Sequence, residues 1–206
     1  MSNLPIPVSS SELLAADRAT RAAAAAAERW LDNHRRRSSR AMSEPELDEL
    51  LREALAAISR LLDADAVSLL LANDDGTELV GRAAYGLDRE VDLDVSVPAG
   101  AGLSGPVLST RMPRFVDDLR EVEVRSDVLR NSGLRSYLGV PVATAERVFG
   151  VLHAGRRRVA PFGPDDAAML AHFAEPLAVA IERVRLFGAE RAARKEAEEA
   201  IAASRQ

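Results

Sequence analysis

Apolar positions along the chain change their period several times, and each change marks an element. Leu47, Leu50, Leu51, Ala54, Leu55, Ile58, Leu61 and Leu62 recur every three or four residues, which predicts a helix ending near Leu62 with one continuous apolar face. Its start is signalled at Ser43, with Glu46 three residues on and Pro45 in the first turn, where a missing N–H does no harm. A face that broad must pack on something broad, and a sheet is the natural partner.

The next hundred residues supply short β-rich runs separated by turn residues. AVSLLLA and ELVGRAAY flank NDDGT, whose Asp75-Gly76 pair suits a tight hairpin. In DLDVSVP, Val91, Leu93, Val95 and Val97 alternate with Asp92, Asp94 and Ser96, as a half-exposed strand should. Gly100, Gly102 and Gly105 precede a short helix, FVDDL reads as a strand end and VRSDVLRNSG as another helix. RSYLGVPVA and RVFGVLHA form a closing hairpin around Thr144 to Arg147. A second long helix enters at Pro164, with the stripe Met169, Leu170, Phe173, Leu177, Ala180, Ile181, Val184 and Phe187. After Gly188 the stripe dissolves into RAARKEAEEA, a charged continuation of the helix without an apolar heptad seam.

The opening residues differ in kind. They are rich in alanine and arginine, include the run Ala22 to Ala27, and carry a capping-box spacing at Ser9 and Glu12. A helix with so thin a stripe, Leu13, Leu14, Trp30 and Leu31, needs a partner to be stable. The expected organisation is therefore a helical extension over residues 1–42, an α+β domain over 43–187 and a charged helical extension over 188–206. Pairing of the two extensions, Ser10 to Arg40 and Pro164 to Ala200, predicts a parallel homodimer.

Composition narrows the chemistry. The 206 residues contain no cysteine, so disulfides, thiolate metal sites and cysteine nucleophiles are excluded. With 27 basic against 32 acidic side chains and a net charge of -5, a general nucleic-acid binder is not expected. No run approaches the ~20 apolar residues of a membrane span, and no signal-peptide pattern opens the chain, so a soluble cytoplasmic protein is expected. The Asp74-Asp75 and Asp117-Asp118 pairs are explained by turn chemistry, and Arg156 to Arg158 by a solvated turn. The glycine-rich AGAGLSG lacks the lysine of a phosphate loop.

The order VPAGAGLSGPVLSTRMPRFVDDL, LRSYLGVPV, VFGVLHAG, then Phe162, Asp166 and a helix ending AVAIERVRLF resembles a GAF domain over about Glu46 to Phe187. It looks closest to those that precede sigma-factor-regulating phosphatases or sensor kinases in actinobacteria. The resemblance implies an antiparallel sheet flanked by helices, serving as a non-enzymatic signal-transduction module for a small molecule or a protein partner. A dimerising scaffold with a collapsed pocket is the alternative. Whether the output lies in a separate partner or in a fused domain stays open. Covalent bilin and the methionine sulfoxide reductase activity of some members both need cysteine, which is absent. Cyclic nucleotide is disfavoured because Ala167 stands where that subfamily has glutamate, and haem because VLRNSGLRS offers no histidine.

The resemblance also turns the strand of His153 toward the cavity. A two-residue connection at Ala145-Glu146 would set Leu138 opposite His153, Val140 opposite Val151 and Val142 opposite Phe149, with Tyr137, Gly139, Gly150 and Leu152 on the reverse face near the helices. The candidate ligand-binding residues are accordingly His153, Val151, Phe149, Leu138 and Val140, joined by Phe115, Leu129 and Arg135 from a covering segment between Leu103 and Leu134. No catalytic or metal-ligating set is expected. His153 itself reads either as a ligand contact or as a half-buried histidine satisfied by backbone or water.

Overall fold

A computed structural model describes residues 25, 28–30, 32, 42–87 and 96–203. Helix α1 (Glu44–Leu61) is followed by strands β1 (Ala66–Ala72), β2 (Glu78–Tyr85) and β3 (Ser96–Pro98), then α2 (Ser104–Thr110) and β4 (Arg114–Val116). A 3₁₀ turn at Leu119–Glu121, helix α3 (Asp127–Asn131), strands β5 (Ser136–Ala143) and β6 (Val148–Arg156), and α4 (Pro164–Ala203) complete the order. The strands form one sheet in the order β3-β2-β1-β6-β5-β4, and every neighbouring pair is antiparallel. This is the α+β architecture that the pattern predicts.

Capping explains where the long helices begin. The Glu46 carboxylate accepts hydrogen bonds from the Ser43 backbone N–H at 2.8 Å and its hydroxyl at 2.7 Å. At the head of α4 the Asp166 carboxylate accepts from the Gly163 N–H at 2.9 Å. Both helices cover the same face of the sheet, α1 over β1 and β2 and α4 over β5 and β6. Their buried residues Leu51, Leu55, Ile58, Phe173 and Leu177 interlock with Val67, Leu69, Leu138, Val140 and Leu152 in the main core. Trp30 joins this core, its ring 5.0 Å from that of Phe173. It is helical, as are Ala25, Glu28, Arg29 and Asp32. The rest of the expected N-terminal helix, and Val91 to Val95 of the expected alternating strand, lie outside the described residues.

The closing hairpin departs from the expected register. Thr144 and Arg147 close the turn, the Thr144 N–H donating to the Arg147 carbonyl at 2.8 Å, and Ala143 pairs with Val148. One residue later Val142 pairs with Gly150, not Phe149, so Phe149 is an extra residue in β6. That bulge shifts every later pair by one. Gly139 lies opposite His153, Val140 opposite Leu152 and Leu138 opposite Ala154. Because side chains alternate with period two, Leu138, Val140 and Val142 fall on the helix face and Tyr137, Gly139 and Pro141 on the other.

The three arginines after β6 also differ from the expected solvated turn. Arg156 is 9% exposed, and its guanidinium donates to the carbonyls of Leu62 at 2.7 Å, Asp63 at 3.3 Å, Ala160 at 2.9 Å and Pro161 at 3.2 Å. It stacks over Phe162 at 3.9 Å and lies 3.8 Å from the Asp166 carboxylate. The Arg157 N–H donates to Asp65, and Arg158 pairs with Asp63. The triplet thus ties the end of α1 and the entry to α4 to the last strand. A planar fork with several donors suits that task, since helix-terminal carbonyls lack intrahelical partners.

The bulge also brings β6 very close to β1. A methyl group added at Gly150 would lie 1.9 Å from the Leu70 carbonyl oxygen. Gly150→Ala should therefore lower stability by about 2 to 3 kcal/mol in urea unfolding. An unchanged midpoint would mean that the two strands do not approach in this way.

Candidate ligand pocket

The sheet face opposite the long helices is covered by α2, α3 and their connections, with the edge strand β3 at the rim, and this cover does not fill the space beneath it. Two small apolar clusters form there. One contains Leu103, Val116, Leu119, Leu134 and Tyr137, and the other Leu70, Leu79, Val107 and Val151. A cavity of ≈ 400 Å³ lies among their residues, at the lower end of the range for small-molecule sites.

Its floor is built by three neighbouring strands. His153 on β6 is flanked by Ser68 on β1 and Gly139 on β5. The Ser104 hydroxyl, at the start of α2, lies 3.2 Å from His153 Nε2. The Tyr137 ring stands 5.1 Å from the imidazole, tilted by 55°. Its phenol ends over Gly139, where an added methyl group would meet the hydroxyl oxygen at 2.4 Å. Tyr137 is 1% exposed and its hydroxyl has no hydrogen-bond partner among the described residues. Burial pushes this phenol above its ordinary pKa, so it is a neutral donor; Ser104 pulls slightly the other way without being aligned to bond it.

Leu70, Leu87, Val97, Leu103, Val124 and Leu129 supply apolar walls. Among the described residues, Arg125 and Asp127 are the charged residues of the lining, both exposed, and each has a partner, Glu123 at 3.3 Å and Arg130 at 2.8 Å. His153 is sunk among protein atoms, and the surface left to it is the surface it shows the cavity. Burial lowers its pKa to about 4, so the ring is neutral at physiological pH. A serine beside a histidine invites comparison with a hydrolytic dyad. An imidazole so weakly basic, with no carboxylate in hydrogen-bond contact to orient it, is suited to recognition and not to general base catalysis.

The bulge redistributes the expected site residues. His153 and Leu129 line the cavity. Val151 is on the same face but fully buried with Leu70 and Val107. Phe149, Leu138 and Val140 belong to the core beneath the helices. Phe115 pairs with Leu138 at the sheet edge and is 41% exposed. Arg135 binds Asp118 through two hydrogen bonds beside a separate depression of ≈ 320 Å³. That bond, the largest influence on Asp118, holds its carboxyl at about 2. Gly139 lies under the Tyr137 phenol, and Gly150 serves strand contact, so neither makes room for a helix. Tyr137 was missed as a cavity residue because it depends on the shifted phase, and Ser68 and Ser104 because only the folded chain brings β1 and α2 beside His153.

A sequence model described as a GAF domain matches residues 44–182. The chain belongs to the GAF family. GAF domains are sensory and signalling modules, in general regulatory and not catalytic. A Nif-specific regulatory protein of Azospirillum lipoferum is 32% identical over 119 residues, 54% of this chain. The match spans only 18% of that longer protein. Among solved structures, the GAF domain of a phosphoenolpyruvate-protein phosphotransferase from Coxiella burnetii superposes with a TM-score of 0.67 at 23% identity, over 79% of this chain and 96% of that one. A free methionine-R-sulfoxide reductase from Neisseria meningitidis, solved with its substrate, gives 0.58 at 21% identity, over 90% of this chain and 99% of that one. At these identities the two likenesses establish the fold.

Within this GAF domain the residues of the Phe162 and Asp166 motif serve structure, one stacked under Arg156 and the other capping α4. Among the described residues no cluster of three histidine, aspartate or glutamate side chains could hold a metal ion. Among the same residues no helix is long and apolar enough to cross a membrane.

The titration of His153 has a defined sign. Its folded pKa, about 4, lies below the ordinary 6.5, so the unfolded chain takes up the proton first. Its neutral form carries no penalty above pH 6.5, and stability should fall as pH drops from 6.5 through 4. Urea midpoints across this window should fall more steeply for the native chain than for His153→Leu. Parallel profiles would contradict the burial of the ring.

Proposed function

We propose that this GAF domain is a non-enzymatic sensor that holds a small molecule between its sheet and the α2–α3 cover and passes occupancy on through its long helix. The cavity with His153 on its floor and Ser104 facing it from α2 carries this reading. A collapsed scaffold would instead fill such a space with apolar side chains. Signal transfer has a short route. Strand β5 presents Tyr137 to the cavity and Leu138, Val140 and Val142 to the core shared with α4. A ligand that displaces β5 therefore displaces the surface on which Phe173 and Leu177 rest.

A homodimer through the terminal helices completes the proposal. From Leu186 to Glu199 α4 is exposed on every side, and Leu186, Phe187 and Ile201 are 65%, 40% and 53% exposed. A single amphipathic segment of this kind is marginal alone in water. Its i,i+4 pairs, Arg194 with Glu198 at 2.9 Å and Lys195 with Glu199 at 3.6 Å, add only a few tenths of a kcal/mol each. The same exposed residues favour a second reading in which the module is chiefly a dimerising scaffold for a partner or fused output domain. The regulatory relative from Azospirillum, matched over a small part of its length, is consistent with either. Sensing in the cytoplasm, of the kind that actinobacterial GAF modules supply to sigma-factor-regulating phosphatases or sensor kinases, fits the cysteine-free composition.

Native mass spectrometry of the protein purified from its own host tests this directly. The sensor reading expects a dimer with a retained small molecule, and His153→Leu should lose that molecule while its circular dichroism stays unchanged. A monomer would remove the dimer. A bare dimer, or unchanged retention in the variant, would favour the scaffold.

A further inference from the structure

The chemistry of the cavity is more selective than its size. Among the described residues its deep end carries hydrogen-bonding groups but no charged lining residue: the His153 imidazole, the Ser68 and Ser104 hydroxyls and the Tyr137 phenol. Ser104 and His153 already face each other at 3.2 Å. The phenol differs from them. It is 1% exposed, makes no aligned hydrogen bond among the described residues although the Ser104 hydroxyl acts on it, and ends over Gly139, the residue paired with His153. A buried donor left without an acceptor destabilises the fold that holds it. Arg114, paired with Gly139 on β4, does not line the cavity, but its positive charge favours the phenol's proton-donating character.

We infer that the cavity takes an uncharged, largely apolar small molecule whose single essential polar feature is an acceptor, a carbonyl oxygen or a ring nitrogen, for the Tyr137 hydroxyl. This rests on the sensor reading and deepens it. Apolar walls reward burial of the rest of the molecule, since area removed from water is the main source of affinity in such sites. An anionic head is disfavoured because the floor offers no cation to replace its hydration, and the neutral imidazole would have to gain a proton first. The lining cation, Arg125, is exposed at the cavity and already paired with Glu123.

Three probes of one shape separate the cases: acetophenone, ethylbenzene and benzoate, titrated at neutral pH into the full chain and followed through ring signals of His153 and Tyr137. Acetophenone should bind at least about fivefold more tightly than either of the others, the worth of one satisfied hydrogen bond. Tyr137→Phe should remove that advantage and at the same time raise the unfolding midpoint of the free protein, because it deletes an unsatisfied donor without changing the ring. Ser109→Ala, on the exposed side of α2 and outside the cavity lining, should keep the preference for acetophenone. If benzoate or ethylbenzene binds as well as acetophenone, or if Tyr137→Phe keeps the preference or is less stable than the native chain, the acceptor requirement is wrong and the sensor reading stands. If none of the three moves the ring signals, the cavity is closed to ligands and both fall.

Discussion

Everything distinctive about this domain depends on the phase of two strands, β5 and β6. Each has one face buried under the long helices and the other turned to a cavity, so a shift of a single residue exchanges the two environments completely. The bulge at Phe149 sets that phase. It puts three aliphatic side chains of β5 beneath α4, and it aligns Gly139 with His153, opening the space that the Tyr137 ring and the imidazole then share. Fold stability and the recognition surface therefore come from alternate residues of one strand. Neither can be altered without straining the other.

Strand β6 is fixed at both ends by different means. At its start the bulge and Gly150 press it against β1, and at its end Arg156 satisfies the last carbonyls of α1 and those ahead of α4. His153 lies between these anchors. A floor residue held this way changes position only with its strand, which is what a sensor needs if occupancy is to be felt outside the cavity. The cover is built more lightly, from two short helices and their connections, with its apolar residues divided between two small clusters. Rigid floor and light cover together place any adjustment to a ligand on the cover side.

Much of this was legible in the residues. The helix stripes of α1 and α4, the cap signal at Ser43, the NDDGT turn and the strand order of the closing hairpin follow from period and turn chemistry alone. The bulge did not, because a two-residue turn is compatible with a straight ladder and nothing in RVFGVLHA marks Phe149 as extra. One signal was available. Leu138, Val140 and Val142 are uniformly aliphatic, as a face under broad helices requires, whereas Tyr137, Gly139 and Pro141 are not, and that contrast argues for the phase the structure adopts. The role of Arg156 was hidden for another reason. An arginine after a glycine at a strand end looks solvated until the helix termini it serves are brought beside it. The cavity chemistry followed the same rule: Tyr137 was visible but was set on the wrong face.

The absence of cysteine allows the phase to be measured without background. Single variants His153→Cys and Leu152→Cys would each carry one thiol, on adjacent residues of β6 that point to opposite faces. Alkylation by a small uncharged maleimide under native conditions should modify the thiol at position 153 at least about tenfold faster than the one at 152, because only the first borders a cavity. Equal rates, or faster reaction at position 152, would mean that the bulge is absent and that the cavity does not lie over His153.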